Sequence, residues 1–218
     1  MIVVIQCAAK KRADAGHLRT GDGRDVLFVA DPARAPPSST VCYARPDDLS
    51  DAGGTWRERL LEYNLEPRAN PLHLCRAIDL YANPAYHQIA ERFGAERTFI
   101  LSAGWGLIRG DFLTTNYDIT FSVAAEPYKR RRRTDHYRDF AMVPDEANEP
   151  MVFFGGKDYT PLFEKLTRSV RAPRTLFYNS DVPPTAQGCS LVRFRTTTRT
   201  NWHYECAQAF LRGDIEAA

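Results

Sequence analysis

The chain has 218 residues, 44% of them hydrophobic, and a net charge of +2. That length suits one α/β domain with a sizeable core, and no apolar stretch approaches a membrane span. The opening run MIVVIQCAAKKR is too short for a signal-peptide core and carries its basic residues after the apolar stretch, so a cytoplasmic protein is expected. Five cysteines without a C-x-x-C pair fit neither a disulfide framework nor a zinc site.

In chain order, Ile2 to Cys7 is a near-continuous apolar run, as a central parallel strand requires. Lys10, Lys11 and Arg12 follow its carboxyl end, where basic groups suit an anion or phosphate. Residues 14–25 read as loop. Val26 to Ala30 is a second strand, stopped by Asp31-Pro32, and Val41 to Ala44 a short edge strand. Gly53-Gly54 precede a helical segment over 55–64. Asn70-Pro71 reads as a helix start, and Leu74, Ala77, Ile78 and Tyr81 fall on one helical stripe. Asn83-Pro84 repeats the signal, with Tyr86, Ile89, Ala90 and Phe93 in the same spacing and Gly94 as a stop. Two tandem helices are therefore expected over 70–93, feeding a buried strand at 98–102.

That strand breaks at Ser102-Ala103-Gly104-Trp105-Gly106. Two glycines around a tryptophan allow a sharp turn that displays one large aromatic, though Trp105 could equally be core. Asp111, Asn116, Tyr117 and Asp118 follow in an otherwise uncharged stretch. Open α/β sheets build sites in the crevice beyond their strand ends. Residues 126–142 read as a helix or an ordered arm. Within them, 129–138 hold six basic residues and one acid, a local charge of +5 in a chain of net +2. Such a run is a nucleic-acid signal or a solvated loop. Residues 143–150 are loop. Strands are expected at 151–154, 175–179 and 191–195, with helices at 161–170 and 201–212. This alternation predicts a three-layer α/β/α sandwich with a mostly parallel sheet.

Four short motifs, in order, resemble a known group. They are Gln6-Cys7-Ala8-Ala9-Lys10-Lys11, Ala77-Ile78-Asp79-Leu80-Tyr81, Leu101-Ser102-Ala103-Gly104-Trp105-Gly106-Leu107-Ile108 and Asn116-Tyr117-Asp118. They are similar to a bacterial and phage group related to YaaA-like peroxide-stress proteins and to domains accompanying tRNA-guanine transglycosylases. The group's pattern is C-S-x-x-K, A-x-x-L-Y, S-A-x-x-G-L and P-Y-x-x-T. This chain departs from it at Ala8, Trp105 and Asn116. The likeness spans about the first 125 residues and, loosely, Gly155-Gly156-Lys157-Asp158-Tyr159. It implies a uracil-DNA-glycosylase-like sandwich. It also implies DNA glycosylase activity that releases a modified cytosine, glucosylated and hydroxymethylated, from phage DNA and leaves abasic sites as antiphage defence.

Hydrolysis of an N-glycosidic bond needs a group to place water or stabilise an oxocarbenium-like sugar, donors for the departing base, and a surface for the extruded base. Asp111 and Asp118 are the candidate catalytic carboxylates, and Gln6 and Asn179, at strand ends, the candidates to orient water or hydrogen-bond a base. Ser102, Gly104, Trp105, Gly106, Asn116, Tyr117 and Phe121 are the candidate substrate-binding residues. Lys10, Lys11, Arg12, Lys129, Arg130, Arg131, Arg132, Arg133 and Lys157 are the candidate phosphate ligands. His203, at the start of the last expected helix, reads as a surface or capping histidine, with a base or phosphate ligand as the alternative. His73 and His87 lack partners at metal spacing, so neither metal nor cofactor is expected, and DNA is the expected partner. A non-enzymatic DNA-binding stress protein and a base-exchanging (deoxy)ribosyltransferase are the alternatives.

Overall fold

The computed structural model describes residues 1–65 and 70–217. Its strands are β1 (Ile2–Gln6), β2 (Asp25–Val29), β3 (Val41–Ala44), β4 (Cys75–Arg76), β5 (Thr98–Ser102), β6 (Gly106–Arg109), β7 (Leu113–Thr114), β8 (Tyr117–Asp118), β9 (Phe140–Ala141), β10 (Met151–Phe154), β11 (Arg174–Tyr178) and β12 (Cys189–Arg193). The helices are α1 (Trp56–Leu65), α2 (Ala85–Phe93), α3 (Thr160–Thr167) and α4 (Trp202–Arg212).

Seven strands form the main sheet in the order β12-β11-β10-β1-β5-β6-β9. Every pair is parallel except the β5–β6 hairpin. A second, three-stranded parallel sheet runs β3-β2-β8, and β4 pairs antiparallel with β7. β1 sits centrally because Val3, Val4 and Ile5 are wholly buried, as expected of a strand covered on both faces. Alternation along β10 shows the two covering layers. Phe153 stacks on Phe163 of α3, and Phe154 packs against Phe210 of α4. Neighbouring strand residues point to opposite faces, so α3 and α4 lie on opposite sides of the sheet. α2 packs beside α4, with Phe93 against Phe210. No helix among the described residues is long and apolar enough to cross a membrane.

β1 is followed by β5 on one side, and β10 to β12 continue on the other. The chain therefore leaves the carboxyl ends of β1 and β10 in diverging directions, the geometry that opens a crevice in α/β sheets.

The structure corrects the expected helix over 70–81. Its apolar stripe is buried as expected, at Leu74, Ala77, Ile78 and Tyr81, but the segment is turns around β4. Ala77 N–H donates to Phe112 O at 2.9 Å and Ile78 N–H to Gly110 O at 3.1 Å. Asn70, read as a helix cap, instead bonds both the N–H and the carbonyl of Leu74. Long-range partners replaced the i→i−4 ladder, so the periodicity reported burial and not helix. Residues 126–142 are an ordered arm. One 3-10 turn, Pro127–Lys129, leads into extended chain tied by Arg131 N–H to Thr120 O at 2.9 Å and by β9. After the turn at 102–106 the chain doubles back as β6. Gly106 adopts φ +90°, and an added Cβ there would lie 2.5 Å from the Phe140 carbonyl oxygen, so β9 can dock only against glycine.

Candidate active site

A cleft of about 740 Å³ opens beyond the carboxyl ends of β1, β10 and β11. The loop through Thr120 and Val123 and the first turn of α4 complete its walls. Gln6 and Asn179 stand on its floor, as their strand-end positions predict. Gln6 Oε1 accepts the Gly156 N–H at 2.7 Å. That bond fixes which end of the amide is taken and leaves Nε2 as a donor for a ligand. The Gln6 carbonyl accepts from Tyr86 Oη at 2.8 Å.

Beneath the floor lies a network of hydroxyls and one thiol. Cys7 Sγ is 3.2 Å from Tyr159 Oη, Tyr81 Oη is 2.8 Å from Tyr117 Oη, and Tyr86 Oη is 3.1 Å from Tyr204 Oη. Burial raises the pKa of Tyr81, Tyr86, Tyr117 and Tyr159 well above the ordinary phenol value. They are neutral phenols at physiological pH, able to orient but not to carry charge. Lys11 Nζ donates to Ala8 O at 3.3 Å and lies 4.1 Å above the Tyr117 ring. Desolvation is the main effect on it and lowers its pKa.

The glycine–tryptophan turn is packed, not displayed. Trp105 is fully buried, edge-on to Phe28 at 4.9 Å, so it cannot stack on an extruded base. Two buried arginines hold the turn. Arg57 donates to Gly104 O at 3.1 Å and to Trp105 O at 2.9 Å, and Arg131 donates to Ala103 O at 2.8 Å. Asp47 and Asp139 neutralise them at 2.6 and 2.7 Å. Ser102 Oγ accepts the N–H groups of Gly104 and Trp105 at 3.2 and 3.0 Å. Ser102, Gly104 and Gly106 are thus architecture for the β5–β6 turn. Tyr117 is also buried, with its hydroxyl spent on Tyr81. Asn116 is half-buried, and its N–H donates to Gly16 O at 3.1 Å.

Neither expected carboxylate lines the cleft. Asp111 pairs with Arg109 at 2.5 Å. Because β6 runs antiparallel to β5, that pair lies beside the amino end of β5, remote from the cleft. Asp118 is held by Lys129 Nζ at 2.8 Å, which also grips Glu126 at 2.6 Å. The carboxylate on the cleft wall is Asp158, one residue beyond the Gly-Gly-Lys turn. No periodicity marks it, because it belongs to a loop.

The basic run divides. Arg131 is 6% exposed and belongs to the fold, which removes it from the phosphate ligands. Lys129 is committed to two acids, and these bonds raise its pKa. Arg130, Arg132 and Arg133, with Val123 and Asp158, line a groove that the buried Arg131 also borders. Val123 and Asp158 also line the cleft, so groove and cleft are continuous. Phe121 borders the groove, edge-on to Tyr159 at 5.0 Å. Lys157 lines the cleft. Lys10 is exposed, and Arg12 is paired with Asp14 at 2.5 Å.

His203 is neither surface nor cap. It is 2% exposed, lines the cleft, and its Nε2 has no hydrogen-bond partner among the described residues. Burial pushes its pKa down to about 4. The missed signal lay in helical phase: His203 shares a face of α4 with buried Cys206 and Ala207. Arg57 carried no such signal, since its partners come from distant loops. No family model, curated protein or solved structure matches the chain.

Proposed function

We propose that this chain is a uracil-DNA-glycosylase-like enzyme that hydrolyses the N-glycosidic bond of a modified cytosine, the glucosylated hydroxymethyl base being the foremost candidate, in phage DNA in the cytoplasm. The observation that carries this reading is the continuity of cleft and groove. A polar cleft with two amide side chains on its floor runs into an arginine-lined groove through Val123 and Asp158. A strand tracked along the groove by Arg130, Arg132 and Arg133 delivers one extruded nucleotide into the cleft. A cleft of about 740 Å³ accommodates a base enlarged by a substituent.

In this reading Gln6 Nε2 and the Asn179 amide donate to the departing base. Asp158, at the junction where the sugar would sit, stabilises its developing positive charge or places water. The half-buried rings of Tyr178 and Tyr204, in place of the buried Trp105, supply the stacking surface. The five free thiols suit a reducing compartment. The engagement of Arg131 and Lys129 within the protein leaves fewer cations for a purely electrostatic DNA binder.

The test is incubation with DNAs carrying unmodified, hydroxymethylated or glucosylated cytosine, scoring abasic sites. Release from one modified DNA, lowered about 100-fold or more by Asp158→Asn, is the expected result. No abasic site on any DNA, with strand binding retained, would replace the enzyme by a binder. Incorporation of a supplied free base would make it a transferase.

A further inference from the structure

The α4 end of the cleft differs in chemistry from its amide floor. The first turn of α4 faces the cleft through Asn201, Trp202, His203 and Tyr204. Asn201 stands at the helix start with φ +61° and its side chain makes no capping bond. Tyr204 N–H is taken by Asn201 O at 3.0 Å, and the earlier N–H groups face outward with the positive end of the helix dipole. A helix terminus alone is weak ground for a ligand. Here a second feature points the same way: His203, a residue of the same cleft's lining, has a buried Nε2 with no partner among the described residues. A buried polar atom without a partner is costly; of the four such side-chain atoms among the described residues, His203 Nε2 alone belongs to a residue that lines the cleft, where a ligand could relieve it.

The surrounding charges agree. Arg199 lines this end, and Lys157 lines the cleft from the β10 turn. Neither has an ion pair among the described residues. Of the nearby acids, Glu205 is hydrogen-bonded to Thr196, at 2.6 Å, and to Thr198, and Asp181 is paired with Arg193. Asp158 lines the arginine groove as well, which places it on the wall towards that groove.

We propose that the α4 end of the cleft is a phosphate subsite, in which the helix N-terminus, Arg199 and the His203 Nε2–H hold one phosphate group of a nucleotide. The inference rests on the nucleotide reading of the cleft given above. A neutral imidazole donates one N–H to a phosphate oxygen without the cost of burying a second charge. The phosphate belongs either to the strand beside the extruded base or to a free nucleotide.

The full-length protein is titrated by NMR, following the His203 ring, whose resonance is identified by its loss in His203→Gln. The probes are inorganic phosphate, a nucleoside 5′-monophosphate and a short single-stranded oligodeoxynucleotide. A bound phosphate favours the imidazolium, so saturable binding is expected to raise the His203 midpoint from its low value near 4. Arg199→Ala, at an exposed position that the fold tolerates, is expected to weaken phosphate binding about tenfold. A stronger response to the oligonucleotide than to the monophosphate assigns the phosphate to a strand; the reverse assigns it to a free nucleotide, and either supports the subsite. A midpoint unmoved by all three probes, or unchanged affinity in Arg199→Ala, overturns it. Base release measured in parallel separates the two readings. Release with a silent His203 removes only the subsite, and a responsive His203 without release removes only the glycosylase.

Discussion

The turn between β5 and β6 and the cleft beyond β1 and β10 occupy the same edge of one sheet, yet their polar groups are in opposite states. In the turn, the carbonyls of Ala103, Gly104 and Trp105 are all taken by arginines, and Ser102 Oγ takes two N–H groups. Of the turn's buried side-chain polar atoms, the Trp105 indole nitrogen has no partner among the described residues. In the cleft, Gln6 is half-engaged, His203 Nε2 is open, and Lys157 and Arg199 have no ion pair among the described residues. Polar groups satisfied within the protein hold it together. Those gathered without partners along an open cleft mark where a ligand can bind, which the sealed Trp105 nitrogen does not.

The largest effect that could break this contrast is on the turn. Arg131→Ala would strand Asp139, whose side chain is 1% exposed, with only Lys165 at 3.3 Å. Removing one partner of a buried pair costs about 3–5 kcal/mol, and Arg57→Ala should cost a comparable amount. Trp105→Ala should cost about 3–5 kcal/mol by leaving a cavity against Phe28. Urea denaturation reads all three. A loss under about 1 kcal/mol at each would mean that the turn is not the packed, arginine-held element described.

The turn also shows what a sequence can and cannot disclose. Its position after a buried strand was readable, because Phe99 to Leu101 form an apolar run and the glycines break it. So were β1, β10, β11 and α2, whose burial follows local pattern, and the strand-end placement of Gln6 and Asn179. Whether Trp105 faces out or in depended on Phe28, Arg57 and Phe140, which are distant in sequence. The stripe at 74–81 failed for a related reason, since its hydrogen bonds go to residues 110–114. Five consecutive basic residues looked alike, but only Arg131 meets Asp139 inside the protein. Local pattern reports burial well. It does not report which long-range partner satisfies a polar group, and that choice separates architecture from site here.

A second effect tests the cleft. His203 has its folded pKa lowered to about 4 from an ordinary value of 6.5. Between those values the unfolded chain binds the proton and the native state does not. Stability is therefore fully present above about pH 6.5 and falls as pH drops towards 4, by on the order of 3 kcal/mol. Other groups titrate as the pH falls, so the measurement is the difference between wild type and His203→Gln at each pH. The difference should be largest at pH 7 and shrink towards pH 4. A difference independent of pH would mean that His203 is not held neutral in the native state.

Smaller still should be the stability cost of removing the floor amides. Gln6→Ala deletes one hydrogen bond, to Gly156, and a typical bond contributes about 0.5–1.5 kcal/mol. Asn179→Ala should fall at or below that range. Both should abolish or sharply reduce base release while leaving the thermal transition cooperative. Full activity in both variants would move the donor role away from the floor.

The smallest effect on folding, and the sharpest use of the contrast, lies within the arginine run. Arg132 and Arg133 are exposed, and the Arg130 side chain donates to the Val123 carbonyl, at 3.3 Å, with no ion pair among the described residues. Their replacement by alanine should change stability by no more than about 0.5 kcal/mol each, against several for Arg131. Holding like charges together is unfavourable unless an anion lies near, and their groove leads into the cleft through Val123 and Asp158. Binding to phosphates sets position and carries no base information. The triple variant Arg130→Ala, Arg132→Ala, Arg133→Ala should therefore weaken binding equally for modified and unmodified DNA. It should flatten the log–log salt dependence by ~0.9 for each phosphate that the variant no longer neutralises. Binding of both DNAs across a salt series decides the matter. An unchanged slope would make the three arginines a solvated loop and separate the groove from the cleft. Lost discrimination with retained affinity would place them at the base itself, and the division between a tracking groove and a reading cleft would fail.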